Sequence, residues 1–275
     1  MKELIGILRV FDDGRYERIE VHTIVPAGID PSTGVNSKDA VYSPETNKSA
    51  RLFLPKTATP NHKLPLLIFY HGGGFVDESP FDTTYHDFLN LVVSDSNVIA
   101  VSVDYRLAPE FPVPIAHEDC WEAIKWVAQH ANGKGPEPWL NEYADLQNIF
   151  LAGDSAGGNL THNMAVRIGL DTPAGLLFRG AILLHPYFWG TERVGTEADW
   201  MSPELIDSLN ELMTLAYPGR SGMDDPLINP AMEPNIAGNV EVVEDNEESH
   251  VFFLKKPTSK NAVTLRNRIS AFINS

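Results

Sequence analysis

A serine flanked by small residues is the strongest chemical signal in the sequence. It is Ser155, in the run Gly153-Asp154-Ser155-Ala156-Gly157-Gly158-Asn159, which contains the pattern Gly-x-Ser-x-Gly. An apolar, strand-like run precedes it and a helical stretch follows, the context in which this pattern forms a sharp strand–turn–helix connection. Such a turn holds the hydroxyl at a helix N-terminus, where negative charge is favoured. The sequence therefore predicts a nucleophile at Ser155, rather than an ordinary helix-capping serine.

A second glycine-rich run, His71-Gly72-Gly73-Gly74-Phe75, follows a predicted strand directly. Consecutive glycines let the backbone fold back so that its amide groups point at a developing oxyanion. We predict Gly73 and Gly74 as oxyanion-hole donors, with the amide of Ala156 as a third. His71 is predicted to shape the loop rather than to transfer protons.

These two runs together resemble those of the hormone-sensitive-lipase branch of the α/β-hydrolases, and within it the plant carboxylesterases. That group also includes 2-hydroxyisoflavanone dehydratases and gibberellin receptors. Three further runs match it, namely Asp104–Glu110, Asp225–Pro230 and Glu248–Phe252, and the resemblance extends from about Val10 to the C-terminus. It implies an α/β-hydrolase fold and a serine, a histidine and an acidic residue in that chain order.

The histidine that the resemblance implies is His250. It follows an acidic loop and precedes the apolar run Val251–Leu254, so it can reach the carboxyl edge of a sheet. His250 would take the proton of Ser155 and return it to the leaving group.

The acidic residue has no match. In the relatives it lies on a strand–loop–helix unit after the stretch matching Asp225–Pro230, and that unit, on the order of 30 residues or more, is absent here. Asp245, with Glu244 beside it, is the candidate substitute because it lies in the loop before His250, whereas Asp225 has the spacing but matches a structural motif. Loss of a triad acid can cost on the order of 10⁴-fold in turnover.

Alternating strands and helices must position these residues. The predicted strands are short apolar runs, each followed by a segment of helical spacing: Leu64–Tyr70, Val98–Val103, Ile149–Gly153 and Gly180–His185. This pattern predicts an α/β fold, a mostly parallel sheet with helices on both faces. We predict one domain over residues 1–275, with a small cap from about 20–48 and 190–218.

The remaining elements lie at the two ends of the chain. Ile7–Ile19 predicts two short strands around Asp12-Asp13-Gly14, and Arg51–Leu54 predicts another. Residues 27–47 are rich in turn formers and predict an irregular excursion. Val240–Val243 is strand-like, and Ser259–Ile273 predicts a final helix with one apolar stripe.

Composition limits the partners. A formal charge of −16 disfavours nucleic acid and anionic membrane surfaces. The single cysteine, Cys120, excludes an intramolecular disulfide and fits a reducing compartment. The start of the chain shows no leader and no run is long enough to span a bilayer, so we expect a cytoplasmic protein. The histidines lack paired metal-ligand spacing, and we expect neither metal nor organic cofactor.

Three functions remain open from the sequence. The first is hydrolysis of small or medium apolar esters, with a small-molecule ester as the partner. The second is a catalytically silent receptor-like module, favoured by the missing acid but disfavoured by His250, which the gibberellin receptors replace with an apolar residue. The third is a dehydratase or other lyase of plant secondary metabolism, disfavoured because serine, not threonine, follows Asp154. The predicted pocket residues follow the active strands: Phe75, Val76, Phe81, Tyr85, Tyr187, Phe188 and Trp189.

Overall fold

The computed structural model describes residues 1–60, 62–192, 201–232, 239–245 and 248–275. Within these ranges the strands form two sheets. The small sheet is antiparallel and contains β1 (Lys2–Leu4), β2 (Leu8–Val10) and β3 (Tyr16–Arg18). The large sheet has the order β4-β5-β7-β6-β8-β9 and contains β4 (Asn36–Ser43), β5 (Lys48–Leu54), β6 (Leu64–Tyr70), β7 (Ile99–Val103), β8 (Ala144–Asp154) and β9 (Phe178–Leu184).

The register of the large sheet brings the carboxyl ends of its parallel strands to one edge. Strands β7, β6, β8 and β9 are parallel, whereas β4 and β5 pair antiparallel. Tyr70, the last residue of β6, lies opposite both Val103 and Gly153, and Asp154 lies opposite Leu184. The residues that follow β6, β8 and β9 therefore meet at the same edge, where open α/β sheets bind their ligands.

Helices cover both faces of this sheet, as predicted. The helices are α1 (Thr83–Ser96), α2 (Ile115–Ala128), α3 (Pro138–Tyr143), α4 (Ala156–Leu170), α5 (Pro203–Ala216), α6 (Phe252–Lys255) and α7 (Lys260–Ile273). In β6, Leu66 and Ile68 belong to the apolar core under α2 and α4, whereas Leu67 and Phe69 belong to the core under α1 and α7. Because successive strand residues face opposite ways, a strand buried on both faces is apolar throughout.

The N-terminal sheet packs beside helix α5. The amide of Ile5 donates to Ser208 Oγ at 2.8 Å, and the Arg18 guanidinium donates to the carbonyl of Val76 in the glycine loop. The two short strands predicted within Ile7–Ile19 are confirmed. The assignment of residues 20–48 to a cap is wrong for Asn36–Ser43, because this segment pairs with β5 as the edge strand of the large sheet.

The opposite edge of the large sheet is β9, which pairs only with β8 among the described residues. The predicted strand Val240–Val243 is also wrong, because residues 239–245 form no regular structure and Val240 and Val242 are 78% and 85% exposed. A strand needs a neighbour to satisfy its backbone groups, and within the described ranges this segment has none.

Candidate active site

Ser155 occupies a strained turn between β8 and α4. Its backbone angles are φ 51° and ψ −116°, a region sparsely populated by non-glycine residues. A Cβ on Gly157 would lie 2.0 Å from the carbonyl oxygen of Tyr70, and one on Gly153 would lie 2.3 Å from that of Gly157. Because only glycine permits these approaches, the two flanking glycines allow the turn that presents the Ser155 hydroxyl.

Backbone hydrogen bonds tie this turn to the end of β9. The amide of Ser155 donates to the carbonyl of Leu184 at 3.0 Å, and its carbonyl accepts from the amide of Tyr187 at 2.7 Å. Hydrogen bonds to both its amide and its carbonyl therefore hold Ser155 in the strained conformation. Strained backbone persists only where the surrounding structure holds it in this way.

His250 lies next to the serine hydroxyl, although 95 positions separate the two residues in the chain. Its Nε2 is 2.9 Å from Ser155 Oγ. A neutral imidazole protonated on Nδ1 would accept the hydroxyl proton at this distance, which is the geometry required of a general base. The structure therefore brings together the predicted nucleophile and the predicted base.

The glycine loop leaves backbone donors unused beside this pair. Gly73 and Gly74 have φ values of 89° and 62°, and a Cβ on Gly73 would lie 2.1 Å from the carbonyl oxygen of Asp77. Among the described residues, the amides of Gly73, Gly74 and Ala156 donate to no protein atom, whereas that of Gly72 donates to Tyr85 Oη at 2.7 Å. The three predicted oxyanion-hole donors are thus free to bind an oxyanion, as far as the described residues are concerned.

Tyr85 joins the glycine loop to the serine turn. Its hydroxyl accepts from the Gly72 amide and donates to Asp154 Oδ2 at 3.0 Å, and its side chain is 2% exposed. Burial raises the pKa of the Asp154 carboxyl to about 7. The hydroxyl of Tyr85 is thus committed to this bridge, and a place for its ring in the predicted pocket stays a prediction.

His71 is buried within the same network. Its ring stacks on that of Tyr105 at 4.2 Å between centroids, and the Tyr105 hydroxyl donates to the carbonyl of His71 at 2.7 Å. Burial lowers the pKa of His71 to about 4, so the ring is neutral at pH 7. These contacts are those of a residue that shapes the loop.

No carboxylate contacts His250 among the described residues. The candidate substitute, Asp245, is exposed, and its charge acts on the pKa of His185 rather than on that of His250. Asp225 is engaged elsewhere, since it accepts from the amides of Ser221 and Leu227 at 2.9 and 3.1 Å. The structure thus does not bring either residue to the imidazole.

The electrostatic surroundings of His250 disfavour its charged form. Partial burial, followed by the nearby His185 and Lys255, lowers its pKa from 6.5 to about 4. The imidazole is therefore neutral and able to accept a proton at pH 7. The imidazolium that forms on accepting it has no carboxylate beside it within the described ranges.

Aromatic side chains pack between the glycine loop, the segment after β9 and helix α5. The Tyr187 ring meets Phe75 edge-on at 6.5 Å and stacks on Trp189 at 6.3 Å, and Trp189 Nε1 donates to Asn210 of α5. Leu212 of α5 lies against Gly74 of the glycine loop. This arrangement gives the site an apolar wall.

One group of side chains in the described part of the chain has ligand atoms close enough to hold a cation: Glu20, His22 and Glu78. His22 Nε2 already lies 3.1 Å from Asp77 Oδ1. The group lies beyond the glycine loop and contributes no contact to Ser155 or His250. Within the described ranges, no helix combines the length and apolar character that crossing a bilayer demands.

A mostly parallel sheet with helices on both faces, and a strained serine at the turn from one strand into a helix, is the architecture of the α/β-hydrolase class. Residues 67–253 match the family described as alpha/beta hydrolase fold. The chain belongs to this family.

Similar proteins include plant enzymes of nearly the same extent. "Probable carboxylesterase 5" of Arabidopsis thaliana is 40% identical, over 98% of this chain and 97% of that protein. "2-Hydroxyisoflavanone dehydratase" of Glycine max is 34% identical, over 99% and 98%. Among solved structures, a hyperthermophilic esterase from the archaeon Pyrobaculum calidifontis has a TM-score of 0.70 and 24% identity, covering 86% of this chain and 85% of that chain, which supports the fold.

The alignment lengths reveal a difference in size. The alignment with the Arabidopsis protein extends over 311 residues, whereas 98% of this chain of 275 is about 270 residues. About 40 positions of the alignment therefore have no residue of this chain. A strand–helix unit is on the order of 30 residues or more, so the difference has the size of the predicted missing unit.

Proposed function

We propose that this chain is a carboxylesterase in which Ser155 is the nucleophile and His250 the general base. The observation that carries the proposal is the 2.9 Å contact between Ser155 Oγ and His250 Nε2 beside free backbone donors. Relatives named as carboxylesterases, about 40% identical over nearly the whole chain, support the same reaction class.

The reaction follows from this geometry. Ser155 Oγ attacks the ester carbonyl carbon while its proton passes to His250 Nε2, and the amides of Gly73, Gly74 and Ala156 receive the oxyanion. Collapse of the intermediate breaks the bond to the alcohol oxygen, which takes the proton from Nε2. Water then attacks the acyl-enzyme, delivers its proton through Nε2 to Ser155 Oγ, and releases the carboxylic acid.

The proposed activity is weak, because no described carboxylate stabilises the imidazolium. Loss of the acid in a serine triad lowers turnover on the order of 10⁴-fold, while the remaining groups still give about 10³- to 10⁴-fold catalysis over water. A slow but serine-dependent esterase is therefore the expected behaviour.

The proposed substrates are small or medium apolar esters. The support is the apolar wall formed by Phe75, Tyr187 and Trp189 with helix α5. We propose that the N-terminal sheet and α5 together form the cap. A cytoplasmic location remains a prediction from the buried free thiol of Cys120, since one similar protein is named "Probable carboxylesterase 4, mitochondrial".

Short-chain p-nitrophenyl esters test this proposal. We expect fast release of p-nitrophenolate to require Ser155, so that Ser155→Ala is slower than the wild type and retains only the residual rate of the oxyanion donors. An organophosphate should label the wild type and not the variant, which separates weak turnover from an incompetent serine. Equal rates for the wild type and Ser155→Ala would contradict the proposal.

A dehydratase is the second candidate, because 2-hydroxyisoflavanone dehydratase of Glycine max is 34% identical over almost the whole chain. The same free amides would serve an elimination from a hydroxylated ketone. Product analysis after incubation with a 2-hydroxyisoflavanone distinguishes the two: formation of the isoflavone at a rate above ester hydrolysis would favour the dehydratase.

A silent binding module is the third candidate, favoured by the absence of a carboxylate against His250 in the described residues. It predicts tight retention of a small apolar ligand without turnover. Organophosphate labelling of Ser155 in the wild type would count against it.

A further inference from the structure

We propose that His185 is a positioning residue for the general base and holds the turn that carries His250. The inference rests on the proposed esterase function. It concerns how the base is kept in place when no carboxylate contacts it among the described residues.

A hydrogen bond joins the two parts of the site. The amide of Val251, the residue directly after His250, donates to His185 Nδ1 at 2.8 Å. His185 directly follows β9, and Val251 directly precedes α6. The bond therefore ties the base to the sheet edge that also bears the serine turn, whose amide donates to Leu184.

Both ends of this bond have strained backbone. His185 has φ 45° and Val251 has φ 50°, in the left-handed region that β-branched residues such as valine rarely adopt. Such conformations persist only where the surroundings hold them. The bond to His185 supplies that restraint for Val251, and the turn at Val251 directs the His250 ring toward Ser155.

Packing fixes the His185 ring itself. The rings of Phe252 and Phe253 each lie 5.7 Å from it, and both phenylalanines are fully buried. The His250 ring lies 5.7 Å away, inclined by 33°. Burial lowers the pKa of His185, which keeps Nδ1 free to accept, while the nearby Asp245 opposes this shift.

The role differs from that of a triad carboxylate. A carboxylate orients the base through its Nδ1 and also stabilises the imidazolium. His185 contacts the backbone beside the base, so it contributes orientation and no opposite charge. Misplacement of a catalytic group by about 1 Å can cost on the order of 10²-fold in rate, which sets the scale of the expected effect.

Two substitutions at His185 test the inference. One keeps a hydrogen-bond acceptor for the Val251 amide, and the other has a similar size but no acceptor. The asparagine in His185→Asn places its amide oxygen near the position of Nδ1, whereas His185→Leu has no acceptor. We expect the leucine variant to lower kcat for a p-nitrophenyl ester by about 10- to 100-fold, with KM changed by no more than about threefold. The asparagine variant should recover most of kcat.

A second buried histidine provides the matched control. His130 Nε2 also accepts a backbone amide, that of Glu137, at 2.9 Å, and it follows helix α2 rather than a catalytic element. We expect His130→Leu to lower Tm and to leave kcat unchanged. If His185→Leu fails to fold, His185→Gln takes its place. Its longer side chain places the amide oxygen beyond the Val251 amide, so the hydrogen bond is lost while a polar group remains.

The outcomes separate this inference from the proposed function. Hydrolysis that requires Ser155 but is unaffected by loss of the acceptor at His185 would overturn the inference alone. So would an asparagine variant as slow as the leucine variant at the same Tm. A wild type no faster than Ser155→Ala would instead overturn the proposed function.

Discussion

Replacing Tyr85 by phenylalanine removes a single hydroxyl that serves two buried partners. The Gly72 amide donates to this hydroxyl at 2.7 Å, and the hydroxyl donates to Asp154 Oδ2 at 3.0 Å. Asp154 is 1% exposed and its Oδ1 has no partner among the described residues, so the carboxyl cannot exchange the lost bond for another that the structure shows.

The expected loss of stability follows from these two partners. Leaving a buried polar group unpaired costs about 1–3 kcal/mol, so two such groups give about 2–6 kcal/mol. In a chain of this size the entropy of unfolding is about 0.6 kcal/mol/K, so that loss lowers Tm by about 3–10 °C. We also expect kcat to fall by roughly 10-fold or more, because Gly72 is the bonded end of the oxyanion loop, whereas outright loss of one donor costs about 10²–10³-fold.

Thermal unfolding followed by circular dichroism, together with p-nitrophenyl ester kinetics, measures both effects. Tyr70→Phe is the matched control, because the Tyr70 hydroxyl is buried without a partner among the described residues. Its removal should leave Tm unchanged or slightly raised. The loss in Tyr85→Phe should also be smaller at pH 6 than at pH 8, since Asp154, with a pKa raised by burial to about 7, is protonated and uncharged below that value. A Tyr85→Phe variant as stable as Tyr70→Phe would refute the bridge.

Two further predictions concern protons. Because burial, His185 and Lys255 lower the pKa of His250 to about 4, kcat/KM should stay level from neutral pH downward and fall only near pH 4; an acid limb at about 6.5 or above would contradict this lowered pKa. Burial, then Asp82 and Asp77, raise the pKa of Glu78 to about 9, so the folded chain retains a proton that the unfolded chain releases. The free energy of unfolding should therefore decrease by up to about 1.4 kcal/mol per pH unit through this group between about pH 5.5 and 8, and level off above about pH 9. Urea titrations of Glu78→Gln should lack that contribution, and equal slopes would argue against it.

The central strands were predictable because they are buried on both faces. Leu64–Tyr70 has the predicted bounds. Its residues from Leu66 to Tyr70 alternate between the two apolar cores, so the run is apolar throughout. Asn36–Ser43 escaped prediction for the opposite reason. It is an edge strand with Asn36, Lys38 and Asp39 in its run, and polar residues on one side of an edge strand resemble a loop in the sequence.

The false strand at Val240–Val243 shows the converse. Its valines carry the local signal of a strand, but strand formation also requires a partner, which no local pattern reports. The roles of Tyr85 and His185 were likewise hidden. His185 acts through a bond to an amide 66 positions away, and nothing in the sequence near His185 distinguishes it from a surface histidine.

The predicted loss of a strand–helix unit after Asp225–Pro230 would affect the parts of the site unevenly. The glycine loop follows β6 and the serine turn follows β8, and both strands have neighbours on each side in the described sheet. Their geometry is set by strand pairing within the sheet and by the Tyr85 bridge, so the predicted loss of a unit beyond β9 would leave it unchanged. His250 reaches the site from a segment that follows β9 in the chain. Strand β9 is the edge of the described sheet, and its Leu183 is 36% exposed. Such a loss would therefore affect the charge beside the proposed base more than the proposed nucleophile or oxyanion donors, and any catalytic deficit should appear in kcat while Ser155 remains reactive.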